Sequence, residues 1–130
     1  MIVSISYLER PVTEEEREIA QLLERMTLLI KSNDLEALKN LYRYDADLSG
    51  MSETINATAR ENRYIESIRK LYTKTRKLIF KDVLIRVKNN AEATVFLTRA
   101  VLFTDSLQHH ISLRTLELQK DQGQWYIIYS

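Results

Sequence analysis

The most pointed chemical feature of the sequence is an arginine among apolar strand residues. Between Ala93 and Phe103 the residues alternate, which puts Leu97, Arg99, Val101 and Phe103 on one face. A tight turn at Thr104-Asp105-Ser106 then predicts Phe103 opposite Leu107, Val101 opposite His109, Arg99 opposite Ile111 and Leu97 opposite Leu113. On that pairing, Arg99 and His109 interrupt an otherwise apolar sheet face. A guanidinium there is costly unless it is paired or lines a polar cavity. Lining a cavity, the two groups would stabilise negative charge on a bound molecule. A one-residue slip at a bulge, or a carboxylate partner across a subunit interface, would account for Arg99 without any chemistry.

Other candidates are weaker. Asp45 and Asp47 follow Tyr42 and Tyr44 in a stretch rich in turn formers, where aspartate ordinarily hydrogen-bonds its own backbone. His109 and His110 are consecutive in a strand, so their side chains leave opposite faces and cannot chelate one metal. With no cysteine in the chain there is no thiolate nucleophile, disulfide or cysteine zinc site, and no metal or cofactor is expected. No Gly-rich phosphate loop or serine elbow occurs.

Charge sums to +1 but is unevenly spread. Arg60 to Lys88 holds ten basic and three acidic residues, whereas Glu9 to Glu53 holds six basic and eleven acidic. Arg63, Lys70, Lys74 and Lys77 fall at helical spacing and predict a basic stripe, either a solvated face or a docking surface for an acidic protein partner. No aromatic interleaves the stripe, which argues against nucleic acid. The longest apolar runs fall far short of the roughly 18 residues of a membrane span, and Met1 to Arg10 does not read as a secretion signal, so the expected location is cytoplasmic.

The elements that must position these groups are legible from periodicity. The 130 residues fit one domain, with residues 1–12 as an N-terminal arm closed by Pro11. Ile2, Ser4 and Ser6 alternate with Val3, Ile5 and Tyr7, a pattern that allows the arm to add as a strand to a partner. Thr13 and Glu16 have capping-box spacing ahead of Ile19, Leu22, Leu23, Met26, Leu29 and Ile30, which predicts a long first helix. Asn33 or Asp34 caps a short second helix ending near Tyr44, residues 45–58 read as a loop, and Arg60 to Lys77 reads as a third helix. Period two then takes over through Val83, Ile85 and Val87, through Val95 to Phe103, through Leu107 to Lys120, and through Trp125 to Tyr129. The expected fold is α+β: three N-terminal helices packed on a four-stranded antiparallel meander.

A long first helix, a short second helix reading Asn-Asp-Leu-Glu-Ala-Leu-Lys-Asn-Leu-Tyr, an acidic loop, a third helix and hairpins ending in Gly123-Gln124-Trp125-Tyr126-Ile127-Ile128 resemble the nuclear transport factor 2-like (SnoaL-like) superfamily, from about Thr13 to Ser130. The resemblance implies a cone-shaped, cystatin-like curved sheet around the helices, dimeric through the sheet, with a cavity. In different members that cavity isomerises, cyclises, dehydrates or hydrolyses small molecules, or does no chemistry. It implies Tyr42, Tyr44, Arg99, His109 and Trp125 as ligand-binding residues. By analogy with isomerase-like members it makes Asp45 or Asp47 a candidate base, with Arg99 and His109 completing the catalytic candidates. The first helix lacks the tyrosine of the isomerase pattern, and no pair of aspartates flanks Arg99 as a hydrolase relay requires. The expectation is therefore a homodimeric, non-enzymatic domain that binds a small apolar ligand or a protein. The alternative is a cofactor-free isomerase, lyase or hydrolase acting on a small apolar molecule.

Overall fold

The computed structural model describes residues 1–44 and 53–129, and the side chains of all of these except 53–57. Its elements run β1 (Ile2–Tyr7), α1 (Glu14–Lys31), α2 (Leu35–Lys39), β2 (Tyr42–Tyr44), α3 (Glu53–Lys74), β3 (Thr75–Val87), β4 (Glu92–Phe103), β5 (His109–Asp121) and β6 (Gln124–Tyr129). The six strands form one curved sheet in the order β1-β3-β4-β5-β6-β2. The central β3-β4-β5-β6 meander is antiparallel, and β1 and β2 add to its two edges in parallel.

Helix α1 starts where the sequence predicts. Thr13 Oγ1 accepts from the Glu16 amide at 3.1 Å, while the Thr13 amide donates to Glu16 Oε1 at 3.2 Å. Its Ile19, Leu23, Met26 and Ile30 stripe is buried against the sheet. Asp34 caps α2 by accepting from the Ala37 amide at 3.2 Å. The β5–β6 hairpin turns on Gln122 and Gly123, both at positive φ (50° and 81°), a two-residue geometry that suits glycine at its second position.

Four boundaries differ from expectation. Helix α3 begins at Glu53, inside the segment expected to be a loop, and gives way to β3 at Thr75, although the apolar period continues past that point. Residues 75–77 are therefore strand rather than helix. The N-terminal arm is the edge strand β1, with Val3 and Ile5 paired to Leu78 and Phe80. Tyr42–Tyr44 is a strand, not the end of a helix, and pairs with Ile127–Tyr129. The sheet thus has six strands and is mixed.

A bulge in β3 lets both of its halves face the helices. Pairing with β4 shifts between Lys81 and Leu84, with Asp82 at φ 53°. Leu78 and Phe80 precede the bulge and Val83 and Ile85 follow it, and all four are buried. A single core joins this inward face to α1, α2 and α3. Among the described residues no helix is long and apolar enough to cross a membrane.

Candidate functional site

The expected pairing of β4 with β5 is wrong by one residue, and the error relocates the site. The β4–β5 connection is longer than a three-residue turn. The Ser106 amide bonds to the Phe103 carbonyl, and Ser106 Oγ accepts from the Gln108 amide at 3.1 Å, so the ladder closes at Leu102 and His109. Val101 faces His110, Arg99 faces Ser112 and Leu97 faces Arg114. A one-residue slip sends every side chain of β5 to the other face. His109, Ile111 and Leu113 point away from the helices, while His110, Ser112, Arg114 and Leu116 share the inward face with Leu97, Arg99, Val101 and Phe103.

Between that face and the helices lies a cavity of about 690 Å³. Met26 and Ile30 reach it from α1, Ile68 and Leu71 from α3, and Leu78, Phe80, Leu97 and Ile127 from the sheet. Tyr42, Tyr64 and Tyr129 also line it, as do the four cationic residues Arg99, Arg114, Lys70 and Lys74.

The tyrosines form a cluster. The Tyr42 and Tyr64 ring centroids are 4.2 Å apart, Tyr64 and Tyr129 are 5.3 Å apart, and Tyr44 lies behind them, 5.9 Å from Tyr129. The Tyr42 hydroxyl points at Met26 Sδ at 3.5 Å and that of Tyr44 donates to the Lys39 carbonyl at 3.0 Å, while the buried Tyr64 hydroxyl lies against that of Tyr42. Burial raises the Tyr42 pKa to about 12 and pushes those of Tyr44 and Tyr64 above the ordinary tyrosine value. The cluster therefore presents neutral hydroxyls at physiological pH.

Arg99 is half-buried and its Nε is buried without a hydrogen-bond partner. Burial, and secondarily the like charge of Arg114, lowers its pKa, yet a guanidinium remains cationic at neutral pH. Arg114 leans along its strand, its Nε donating to Ser112 Oγ at 3.2 Å, and Ser112 is the residue directly across from Arg99. Among the described residues, none of the ion pairs involves Arg99, Arg114, Lys70 or Lys74, and none of the residues lining the cavity is a carboxylate.

The sequence candidates divide accordingly. Tyr42 and Arg99 line the cavity, and Tyr44 supports the tyrosine cluster from outside it. His109 is on the outward face; the inward histidine is His110, packed edge-on to Phe103 with ring centroids 4.8 Å apart. Trp125 does not line the cavity: it is buried in the core, its Nε1 donating to Glu18 Oε2 at 3.2 Å, and it borders a smaller hollow with Leu41 and Arg25. Asp45 and Asp47 lie outside the described residues. Lys77 is on β3 rather than α3, so the basic stripe is confined to Arg63, Lys70 and Lys74, and its last two members stand at the cavity. Tyr64, Tyr129 and Arg114 were not anticipated. The alternation of Ser112, Arg114 and Leu116 was the available signal, read onto the wrong face. Among the described residues no cluster of histidine, aspartate or glutamate could hold a metal ion.

No family model matches the chain, and no curated protein matches it. Solved structures do. A candidate scytalone dehydratase from Novosphingobium aromaticivorans is similar at 15% identity and a TM-score of 0.58, over 87% of this chain and 78% of that one. A nuclear transport factor 2-like protein of unknown function from Shewanella oneidensis is similar at 19% identity and a TM-score of 0.57, over 88% of this chain and 95% of that one. A further protein from N. aromaticivorans, nuclear transport factor 2-like with a cystatin-like fold, is similar at 19% identity and a TM-score of 0.59, over 88% and 77%. The chain has the nuclear transport factor 2-like, cystatin-like fold.

Proposed function

We propose that this domain binds a small, largely apolar molecule in the cavity between helices and sheet and releases it unchanged. The observation that carries the reading is the cavity itself: about 690 Å³, walled mostly by aliphatic and aromatic side chains with a few polar groups among them. That volume and lining are typical of small-molecule sites. The test is titration with the uncharged fluorophore 1-aminoanthracene. Saturable one-to-one binding is expected, and Leu97→Trp, which fills the cavity from the sheet, should abolish it while the circular dichroism spectrum stays native. Absence of saturable binding to the folded wild-type protein would refute the reading.

One observation favours a second reading, a cofactor-free isomerase or lyase. The neutral hydroxyls of the tyrosine cluster lining the cavity are of the kind that donate to an oxyanion forming on a substrate. Asp45 or Asp47 would be the base, and the similar fold of the candidate scytalone dehydratase is consistent with such chemistry. Turnover of a bound ketone that is lost in both Tyr64→Phe and the Asp45→Asn/Asp47→Asn double variant would establish it.

The same domain is proposed to pair with a second copy through the outward sheet face. Phe96, Ile111 and Leu113 form an apolar group there, with Leu113 85% exposed. Exposed apolar patches of this kind mark association surfaces.

A further inference from the structure

We infer that the cavity's ligand carries a carboxylate, and that Arg99 and Arg114 are the residues that receive it. This rests on the cavity-binding reading and specifies its ligand class. The argument starts from an imbalance. Arg99 stands on the inward face opposite Ser112, with Phe80 across from it on β3 and Leu97 and Val101 on either side along β4. Its Nε is buried with no acceptor among the described residues, a state that costs free energy in a folded protein unless something supplies the acceptor. The nearest charge that acts on it is repulsive, since Arg114 further lowers its pKa.

Two guanidiniums are thus held on one wall of an apolar cavity. Ser112 anchors the second of them at 3.2 Å, and Lys70 and Lys74 stand on the helical side. An anion placed between Arg99 and Arg114 offsets this imbalance of charge. It accepts from the terminal amino groups of the guanidiniums, screens Arg99 from Arg114, and neutralises a site without a described carboxylate of its own. The planar, forked donor set of arginine fits a carboxylate in a bidentate way. A single negative charge also loses less hydration on entering this half-buried site than a phosphate dianion would. The rest of the molecule is then apolar. Much of the rest of the lining, Leu97, Ile68 and Met26 among it, is apolar, as is most of the ligand that would fill it.

The experiment is calorimetric titration of the full chain with decanoate and with 1-decanol, in the wild type and in the Arg99→Met and Arg114→Gln variants, with thermal melts to establish folding. Arg114 is exposed, so its substitution tests the inference even if Arg99→Met does not fold. Decanoate binding should weaken about ten- to hundred-fold in Arg99→Met and by a smaller factor in Arg114→Gln, as expected for loss of charge-assisted hydrogen bonds, while decanol binding is unchanged in both. Undiminished decanoate affinity in the folded variants would overturn the inference, as would decanol losing as much as decanoate. Decanol binding without decanoate binding would remove the carboxylate and leave the cavity reading standing. Failure of both ligands to bind the folded wild type would remove the cavity reading itself.

Discussion

At the scale of single residues, the tyrosine cluster makes the protein sensitive to alkaline pH. Tyr42 is fully enclosed, and burial raises its pKa from 10.0 to about 12. A folded-state pKa above the unfolded one contributes stability that is complete below pH 10 and is lost as pH rises toward 12, because the unfolded chain gives up its phenolic proton first. Tyr64 shifts in the same direction, also chiefly through burial. The urea midpoint should therefore fall over this interval, and Tyr42→Phe should flatten the fall, whatever it does to stability at pH 7. A midpoint that declines just as steeply in Tyr42→Phe would show that Tyr42 does not titrate abnormally. At the N-terminus of α1, Thr13→Ala removes the side-chain acceptor for the Glu16 amide and should lower stability by about 1 kcal/mol, read from chemical denaturation.

At the scale of elements, what the sequence revealed and what it concealed have different physical origins. Features set by neighbours in the chain were legible: the Thr13–Glu16 capping box, the Asp34 cap, the Gln122-Gly123 turn, and the inward rows of α1 and β4. Features set by distant partners were not. β1 shows a strand-like alternation but nothing local names β3 as its partner, and β2 is a strand only because it lies parallel to β6, far away in sequence. Tyr64, Ile68, Leu71 and Thr75 keep a helical period across the α3–β3 junction, which hid the first three residues of β3. The site was misread for a smaller reason. One side-chain hydrogen bond from the Gln108 amide to Ser106 lengthens the β4–β5 connection, and the resulting register puts Arg114 in the cavity and His109 outside it. Cross-linking tests that register in a chain with no native cysteine to interfere. The double variant Thr98→Cys/Leu113→Cys joins residues directly opposite each other and should form a disulfide on mild oxidation, whereas Thr98→Cys/Ser112→Cys, whose side chains leave opposite faces, should not. The reverse result would restore the tight-turn register.

At the scale of the whole molecule, the curved sheet has two faces with different tasks. The inward face borders a cavity lined by cations and neutral tyrosines, and the outward face presents Phe96, Ile111 and Leu113 to solvent. If the outward face joins two copies, sedimentation velocity should report a dimer for the wild type and a monomer for Leu113→Lys, with the melting temperature of the variant's core little changed at high protein dilution. A wild-type monomer at micromolar concentration would remove that proposal without touching the cavity. The two faces also separate specific binding from adhesion to an exposed apolar surface, and methyl NMR distinguishes them most directly. With isoleucine and leucine methyls labelled and 1-aminoanthracene added to saturation, the account predicts shifts confined to the cavity wall, at Ile30, Ile68, Leu71, Leu97 and Ile127, with the Ile111 and Leu113 methyls unmoved. Shifts at Ile111 and Leu113 with the cavity methyls unmoved would contradict it and make the outward face the binding surface.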